Sequence, residues 1–104
     1  MTGYEFHPEA ENDINEIWGY IAADNVKAAD RVIADIHHPL DALLPFPHQG
    51  HRRTDLTSRP IRFKRVRDYL IAYAPDEKPL WVIAVMHGHR SPSLMAALLI
   101  EREE

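Results

Sequence analysis

The 104-residue sequence contains no cysteine. This absence excludes a disulfide framework and a thiolate zinc site, and it fits a reducing compartment such as the cytoplasm. The sequence also has no apolar run near the roughly 18 residues that suggest a membrane-spanning helix. Its first residues lack the basic and then apolar pattern of a secretory signal. We therefore expect a cytoplasmic protein that does not enter the membrane.

Acidic residues are nearly missing from one part of the chain, residues 48–67, which we call the basic segment. It contains one acidic residue, Asp55, and seven basic residues: Arg52, Arg53, Arg59, Arg62, Lys64, Arg65 and Arg67. Its net charge is +6, so the rest of a chain with a total charge of −4 carries −10. Such asymmetry is typical of a surface that binds nucleic acid or an acidic protein segment. The alternative is that the arginines only protect strand edges from aggregation.

The N-terminal half has the pattern of a short strand followed by two helices. Residues 4–6 alternate apolar and polar side chains, as a strand does. An apolar stripe at helical spacing then follows at Ile14, Ile17, Trp18 and Ile21. This stripe predicts an amphipathic helix over about 8–23 with its apolar side chains in the core. Asn25 suits a helix cap, and a second stripe begins at Val26. Pro39 is expected to kink or interrupt the second helix; the alternative is that Leu40, Leu43 and Leu44 continue it for a further turn.

The C-terminal half changes to the two-residue period of β-strands. Strands are predicted over 61–66, 69–74 and 80–86. The short turns between them imply an antiparallel meander, and Ser91-Pro92 resembles the start of a short helix. The order predicts an α+β fold: an N-terminal short strand, a helical hairpin packed on an antiparallel three-stranded meander, and a short C-terminal helix. We expect residues 1–104 to form a single domain.

The last predicted strand ends in His87-Gly88-His89-Arg90. A metal site, a catalytic cluster and a strand that simply reaches solvent are three interpretations of this ending. Two histidines without nearby cysteine, aspartate or glutamate are an incomplete ligand set, so we assign no metal site. We interpret the sequence as a strand terminus that places Arg90 and one histidine beside the basic residues 62–67.

Taken in order, five segments of the chain resemble the RelE/ParE superfamily of bacterial toxins. No single segment is diagnostic, but together they cover nearly the whole sequence. They are YEFHPEAENDINEIWGYIA, DNVKAADRVIADI, PFPHQGHRRTDL, RFKRVRDYLIAY and WVIAVMHGHR. The resemblance implies the toxin of a type II toxin–antitoxin pair, neutralised by a co-encoded antitoxin. It implies no cofactor and no metal.

Two activities recur in this superfamily, and the resemblance alone leaves both open. The RelE-like branch cuts messenger RNA on the ribosome, which requires a base, a cation and an acid at the scissile phosphate. Arg62, Arg65 and His87 are the candidates for that chemistry. The strand ending looks more like the ParE-like branch, which inhibits DNA gyrase, and Gly88 and Leu94 stand roughly where the RelE-like branch places an arginine and an aromatic. We therefore expect a gyrase inhibitor without catalytic residues. The alternatives are a ribosome-dependent endoribonuclease and, third, a degenerate member of the superfamily that only binds its partner protein.

Two binding surfaces follow from this interpretation. The surface for gyrase or the gyrase–DNA complex is expected to contain Arg62, Arg65, Arg67, His87 and Arg90. The antitoxin is expected to cover apolar residues that spread around the second helix more widely than one stripe needs. These residues are Val26, Ile33, Leu40 and Leu44.

Overall fold

The computed structural model describes residues 3–102 and contains the helices and strands that the sequence predicts. In chain order they are β1 (Tyr4–Phe6), α1 (Pro8–Ala22), α2 (Val26–Leu43), β2 (Arg62–Val66), β3 (Tyr69–Ala74), β4 (Leu80–His87) and α3 (Pro92–Glu101). A short 3₁₀ turn, Pro47–Gln49, follows α2. The predicted α+β fold class is therefore confirmed. The single-domain prediction includes terminal residues outside the described range and stays a prediction.

The four strands form one mixed sheet in the order β1-β4-β3-β2. The meander of β2, β3 and β4 is antiparallel, as the short turns predict. The sequence did not predict that β1 pairs in parallel with the first half of β4. This pairing places β4 in the interior of the sheet, in agreement with its continuous apolar sequence.

Polar side chains cap all three helices where backbone N–H groups have no helical partner. His7 Nδ1 accepts a hydrogen bond from Glu9 N at 3.0 Å, just before Pro8 at the first position of α1. Asn25 Oδ1 accepts from Ala28 N at 3.0 Å at the start of α2. Ser91 Oγ accepts from Leu94 N at 3.3 Å at the start of α3. The cap predicted at Asn25 is therefore present.

Pro39 does not interrupt the second helix, because α2 continues through it to Leu43, as the alternative of a further turn predicts. A proline in a helix interior costs about 3 kcal/mol. Beyond Pro39, however, Leu40 and Leu43 are both fully buried against the sheet. Burying each leucine stabilises the fold by about 1.5–3 kcal/mol, so the two together offset the cost of the proline.

The sheet separates two apolar clusters. The cluster under the α1–α2 hairpin includes Ile36, Leu40, Ile71 and Tyr73. The cluster on the opposite face lies under α3. It is built from buried residues of the sheet, of α3 and of the loop before β2. It includes Leu56, Phe63, Leu70, Met86 and Leu99. Trp18, predicted to be in the core, is instead an exposed residue whose Nε1 donates to Asp30 Oδ1 at 2.9 Å, so it joins α1 to α2 from outside.

A largely buried ion pair lies beside β4, just beyond the end of β1. The register between β3 and β4 shifts at Ala72/Tyr73. Near this shift, two backbone groups of β4 hydrogen-bond to side chains. Val85 N donates to Asp13 Oδ2 at 3.0 Å, and Arg102 Nη1 donates to Ile83 O at 3.1 Å. Arg102 also binds both carboxylate oxygens of Asp13, at 2.6 and 3.0 Å. These bonds connect α1, β4 and the end of α3, and they satisfy backbone groups that would otherwise be costly to bury.

Candidate functional site

The turn between β2 and β3 lies directly beside the end of β4. Gly88 N donates to Asp68 O at 2.7 Å. Tyr69 pairs with His87 across the strands, and their ring centroids are 4.9 Å apart. The His87-Gly88-His89-Arg90 sequence therefore lies at the same end of the sheet as the β2–β3 turn.

The guanidinium group of Arg65 packs against Gly88. A Cβ atom built on Gly88 would lie 3.4 Å from both terminal nitrogens of Arg65 and 3.2 Å from Asp68 O. Contacts of 3.2 Å are tighter than most Cβ contacts, so a larger residue at this position would push the turn away. Glycine thus allows β2 and β4 to bring Arg65 and the strand ending together.

The predicted trio of Arg62, Arg65 and Arg67 does not form one surface. Strand side chains alternate between the two faces of a sheet. Arg62 pairs with Tyr73, which belongs to the cluster under the hairpin, whereas Arg65 pairs with Leu70, which belongs to the cluster under α3. The two arginines therefore lie on opposite faces of the sheet, which corrects the single target surface expected from the sequence.

The arginines also differ in whether their side chains hydrogen-bond to other residues of the chain. Arg62 Nη1 donates to Gly50 O at 3.1 Å, and Arg67 Nε donates to Asp35 Oδ2 at 2.8 Å. Within residues 3–102, the exposed side chains of Arg65 and Arg90 make no hydrogen bond or ion pair. These two, with exposed His87 and His89, are cationic or titratable groups available to a partner. We call Arg65, His87, His89 and Arg90 the strand-end cluster; these residues share one end of the sheet, with Arg65 on the α3 face and His87, which pairs with Tyr69, on the hairpin face.

A cleft of about 310 Å³ lies beside this cluster, between α1 and the sheet. Its walls are Asp13, Glu16, Ile17, Tyr20, Tyr69, Val85, His87 and Arg90. Burial raises the pKa of Tyr69, and the Asp68 carboxylate raises it further, so the phenol stays neutral near pH 7. The cleft thus combines apolar walls at Ile17 and Val85 with one cation, Arg90, and two carboxylates, Asp13 and Glu16, of which Asp13 is paired with Arg102.

The candidates for RNA cleavage are not assembled in one place. Arg62 pairs with Tyr73 and His87 with Tyr69, four residues apart along β3. At about 3.4 Å per residue, this separates them by roughly 13 Å along the strand. General acid–base chemistry needs its groups within about 3 Å of the reacting atoms. Arg65, on the other face, does not bridge this gap.

Comparison with known proteins identifies the family. A profile of the family described as "ParE toxin of type II toxin-antitoxin system, parDE" matches residues 4–92. The chain belongs to the ParE toxin family. The match extends from β1 to the first residue of α3 and includes every member of the strand-end cluster.

A curated relative supports the same family. The protein named "Putative toxin Y4kP" from Sinorhizobium fredii is 34% identical to this ParE-family toxin over 83 residues. The match covers 74% of the present chain and 78% of the relative. The ParE-family toxin is therefore the toxin of a type II toxin–antitoxin system, and the family implies a cognate antitoxin as its partner.

The apolar residues predicted to bind that antitoxin do not share one exposed patch on the ParE-family toxin. Leu40 is fully buried, because it continues the core stripe of α2, and Ile33 packs partly against the same core. Val26 and Leu44 remain 53% and 37% exposed. They lie at opposite ends of the 18-residue helix, roughly 27 Å apart. Leu40 is therefore a core residue and does not form part of an exposed surface.

The exposed apolar residues of α3 were missed by the sequence reasoning. Leu94 and Ile100 are 61% and 66% exposed, although α3 also buries Met95 and Leu99. The sequence "SLMAALLI" is apolar on every side of a helix, which is the signal that was available. In the ParE-family toxin, this helix therefore presents apolar surface to solvent at Leu94 and Ile100.

The described part of the ParE-family toxin contains no group of three histidine, cysteine, aspartate or glutamate side chains that could hold a metal ion. None of its helices between residues 3 and 102 is long and apolar enough to cross a membrane.

A buried tyrosine fixes the loop at the other end of the sheet in the ParE-family toxin. Tyr73 Oη accepts from Gly50 N at 2.9 Å and donates to Pro47 O at 2.7 Å, and burial raises its pKa. We expect Tyr73→Phe to lower the free energy of unfolding by about 1–3 kcal/mol, because Gly50 N loses its partner. Urea denaturation measures this loss. The exposed Tyr20→Phe is the matched control and should change little. Equal stability of the two variants would contradict the role of Tyr73.

Proposed function

We propose that this toxin inhibits DNA gyrase and contacts it through the strand-end cluster. The observation that carries the proposal is that Arg65 and Arg90 lie exposed at one end of the sheet, without partners among residues 3–102. Exposed cations that the protein does not use internally attract an anionic surface. The proposal is also supported by membership of the ParE family and by the separation of Arg62 from His87, which disfavours a ribonuclease site.

The proposed binding of gyrase combines electrostatic attraction at two arginines with shape complementarity in the cleft. Arg65 and Arg90 would engage acidic side chains of gyrase or phosphates of the gyrase–DNA complex. The cleft between α1 and the sheet would receive an apolar or aromatic side chain of the partner against Ile17 and Val85. Binding would stabilise a cleaved intermediate or block turnover, and the toxin would contribute no catalytic group.

The toxin acts in the cytoplasm in this proposal, and a co-encoded antitoxin neutralises it. Val26, Ile33 and Leu44 are the members of the predicted antitoxin set that reach the surface, wholly or in part. A helix of the antitoxin could contact one end of α2 through Val26 or Leu44, in the manner of an apolar helix in a groove.

Induction of the toxin in cells separates gyrase inhibition from RNA cleavage. We expect induction to trigger a DNA-damage reporter within one generation, while mapped 5′ ends of messenger RNA remain unchanged. His87→Ala should weaken this response in a graded way, because His87 only packs on Tyr69 and borders the cleft. A ribonuclease would give the reverse: codon-positioned cuts, with a loss of about 10²–10⁴-fold in His87→Ala. That result would contradict the proposal.

A further inference from the structure

We propose that a second cleft, at the opposite end of β2 from the strand-end cluster, binds a phosphate group. Its volume is about 180 Å³. Its walls are His48, Arg52, Pro60, Arg62, Pro75 and Asp76. Arg62 and Val66, the two ends of β2, are about 13 Å apart. The site is therefore separate from the proposed gyrase surface, and it does not depend on gyrase being the target.

Arg62 is already oriented for an anion. Its side chain is half-buried, and Nη1 donates to Gly50 O at 3.1 Å. A guanidinium group has five N–H donors, and this is the only hydrogen bond of the Arg62 side chain to residues 3–102. This bond holds the guanidinium group at the wall of the cleft, which reduces the entropy that binding an anion would cost.

The loop that carries Arg52 is also held in place. Tyr73 Oη bonds to Gly50 N and to Pro47 O, on either side of His48. Gly50 has no room for a side chain, because a Cβ atom would collide with Tyr73 Oη and lie 2.9 Å from Phe63 O. His51 N and O in turn pair with Phe63 O and N, each at 2.8 Å. The backbone immediately before Arg52 is thus fixed to β2 and β3.

The net charge of the cleft favours an anion, although Asp76 forms one of its walls. Asp76 Oδ1 lies 2.9 Å from His48 Nε2, so the carboxylate already has a partner. Arg52 and Arg62 have no carboxylate partner within residues 3–102. A single guanidinium fork satisfies the two oxygens of a carboxylate. Two guanidinium groups supply donors for more oxygens than that, which fits the tetrahedral phosphate group better.

Titration of the isolated toxin with inorganic phosphate tests the site. We expect saturable shifts of the backbone amide NMR signals of residues 48–52, 62 and 76, and no such shifts with chloride at equal ionic strength. Arg52→Gln and Arg62→Gln should each weaken phosphate binding about tenfold, because each removes charged hydrogen bonds. Arg31→Gln is the matched control: Arg31 is exposed on α2 and has no partner among the described residues.

Arg52→Gln is the decisive variant, since this exposed side chain makes no bond that the described fold uses. Unchanged phosphate affinity in Arg52→Gln, or identical shifts with chloride, would overturn the proposal. Acetate that binds as well as phosphate would also overturn it, in favour of a carboxylate ligand. A short DNA duplex that shifts the same amides would identify a phosphodiester backbone as the source. A response to phosphate but not to DNA would identify a free phosphate or a phosphate monoester.

Discussion

Arg102→Ala is expected to lower the free energy of unfolding by about 2–4 kcal/mol, between the cost of breaking an exposed pair and that of breaking a fully buried pair. Arg102 and Asp13 are only 9% and 16% exposed and form a two-pronged ion pair. Removal of the guanidinium leaves the Asp13 carboxylate buried without its counter-charge and leaves Ile83 O without a donor. Because small proteins are stable by only about 5–15 kcal/mol, the loss is a large part of the total. Urea or thermal denaturation of the two proteins measures it.

An exposed ion pair of the same chain provides the control. Arg67 and Asp35 are 45% and 46% exposed, and an exposed pair contributes about 0.2–1 kcal/mol. Arg67→Ala should therefore cost far less than Arg102→Ala, although both remove an arginine bonded to an aspartate. If the two variants lost the same stability, the Asp13–Arg102 pair would not connect α1, β4 and α3 as described.

Reversing charge in the strand-end cluster should have the largest effect on function. We expect Arg65→Glu with Arg90→Glu to reduce gyrase inhibition about 100-fold or more, because like charges at an interface cost several kcal/mol. Stability should hardly change, since neither side chain has a partner within residues 3–102. The double variant is titrated against gyrase in a supercoiling assay, beside the parent toxin.

A charge reversal at the other end of the sheet controls for net charge. Lys78→Glu changes an exposed residue in the turn between β3 and β4, whereas the strand-end cluster lies at the opposite end of these strands. This variant should inhibit gyrase like the parent. The difference in gyrase inhibition between the parent toxin and the Arg65→Glu, Arg90→Glu variant should also shrink as salt is raised, because screening weakens the attraction of the parent toxin to gyrase. Equal inhibition by Lys78→Glu and by the Arg65→Glu, Arg90→Glu variant would exclude the strand-end cluster as the contact surface.

The helices and the meander could be predicted because their signals are local. Apolar residues three and four apart, the cap at Asn25 and the two-residue period after residue 60 each specify structure within a few residues. Whether the helix continues past Pro39 depends instead on how deeply Leu40 and Leu43 are buried, and this burial is set by their packing against the sheet. Local rules therefore predicted the helix but left open whether it continues past Pro39.

The parts of the site that escaped prediction depend on distant pairings. Asp13 and Arg102 are 89 positions apart in sequence, and neither position carries a local signal of the pair. The parallel pairing of β1 with β4 is similarly non-local. The opposite orientation of Arg62 and Arg65 is different, because the strand period already implies it for residues three apart. The net charge of the basic segment does not show which face of the sheet each arginine lies on.

Cleaved DNA in a purified gyrase reaction tests the proposed function most directly. Gyrase, supercoiled plasmid and the toxin are mixed and quenched with detergent, and the linear DNA is measured with increasing toxin. The account predicts that linear DNA accumulates or supercoiling stops with the parent toxin, and that about 100-fold more of the Arg65→Glu, Arg90→Glu variant is needed for the same effect. Unaffected gyrase at saturating toxin, together with cleavage of messenger RNA by the same preparation in a translating extract, would contradict it.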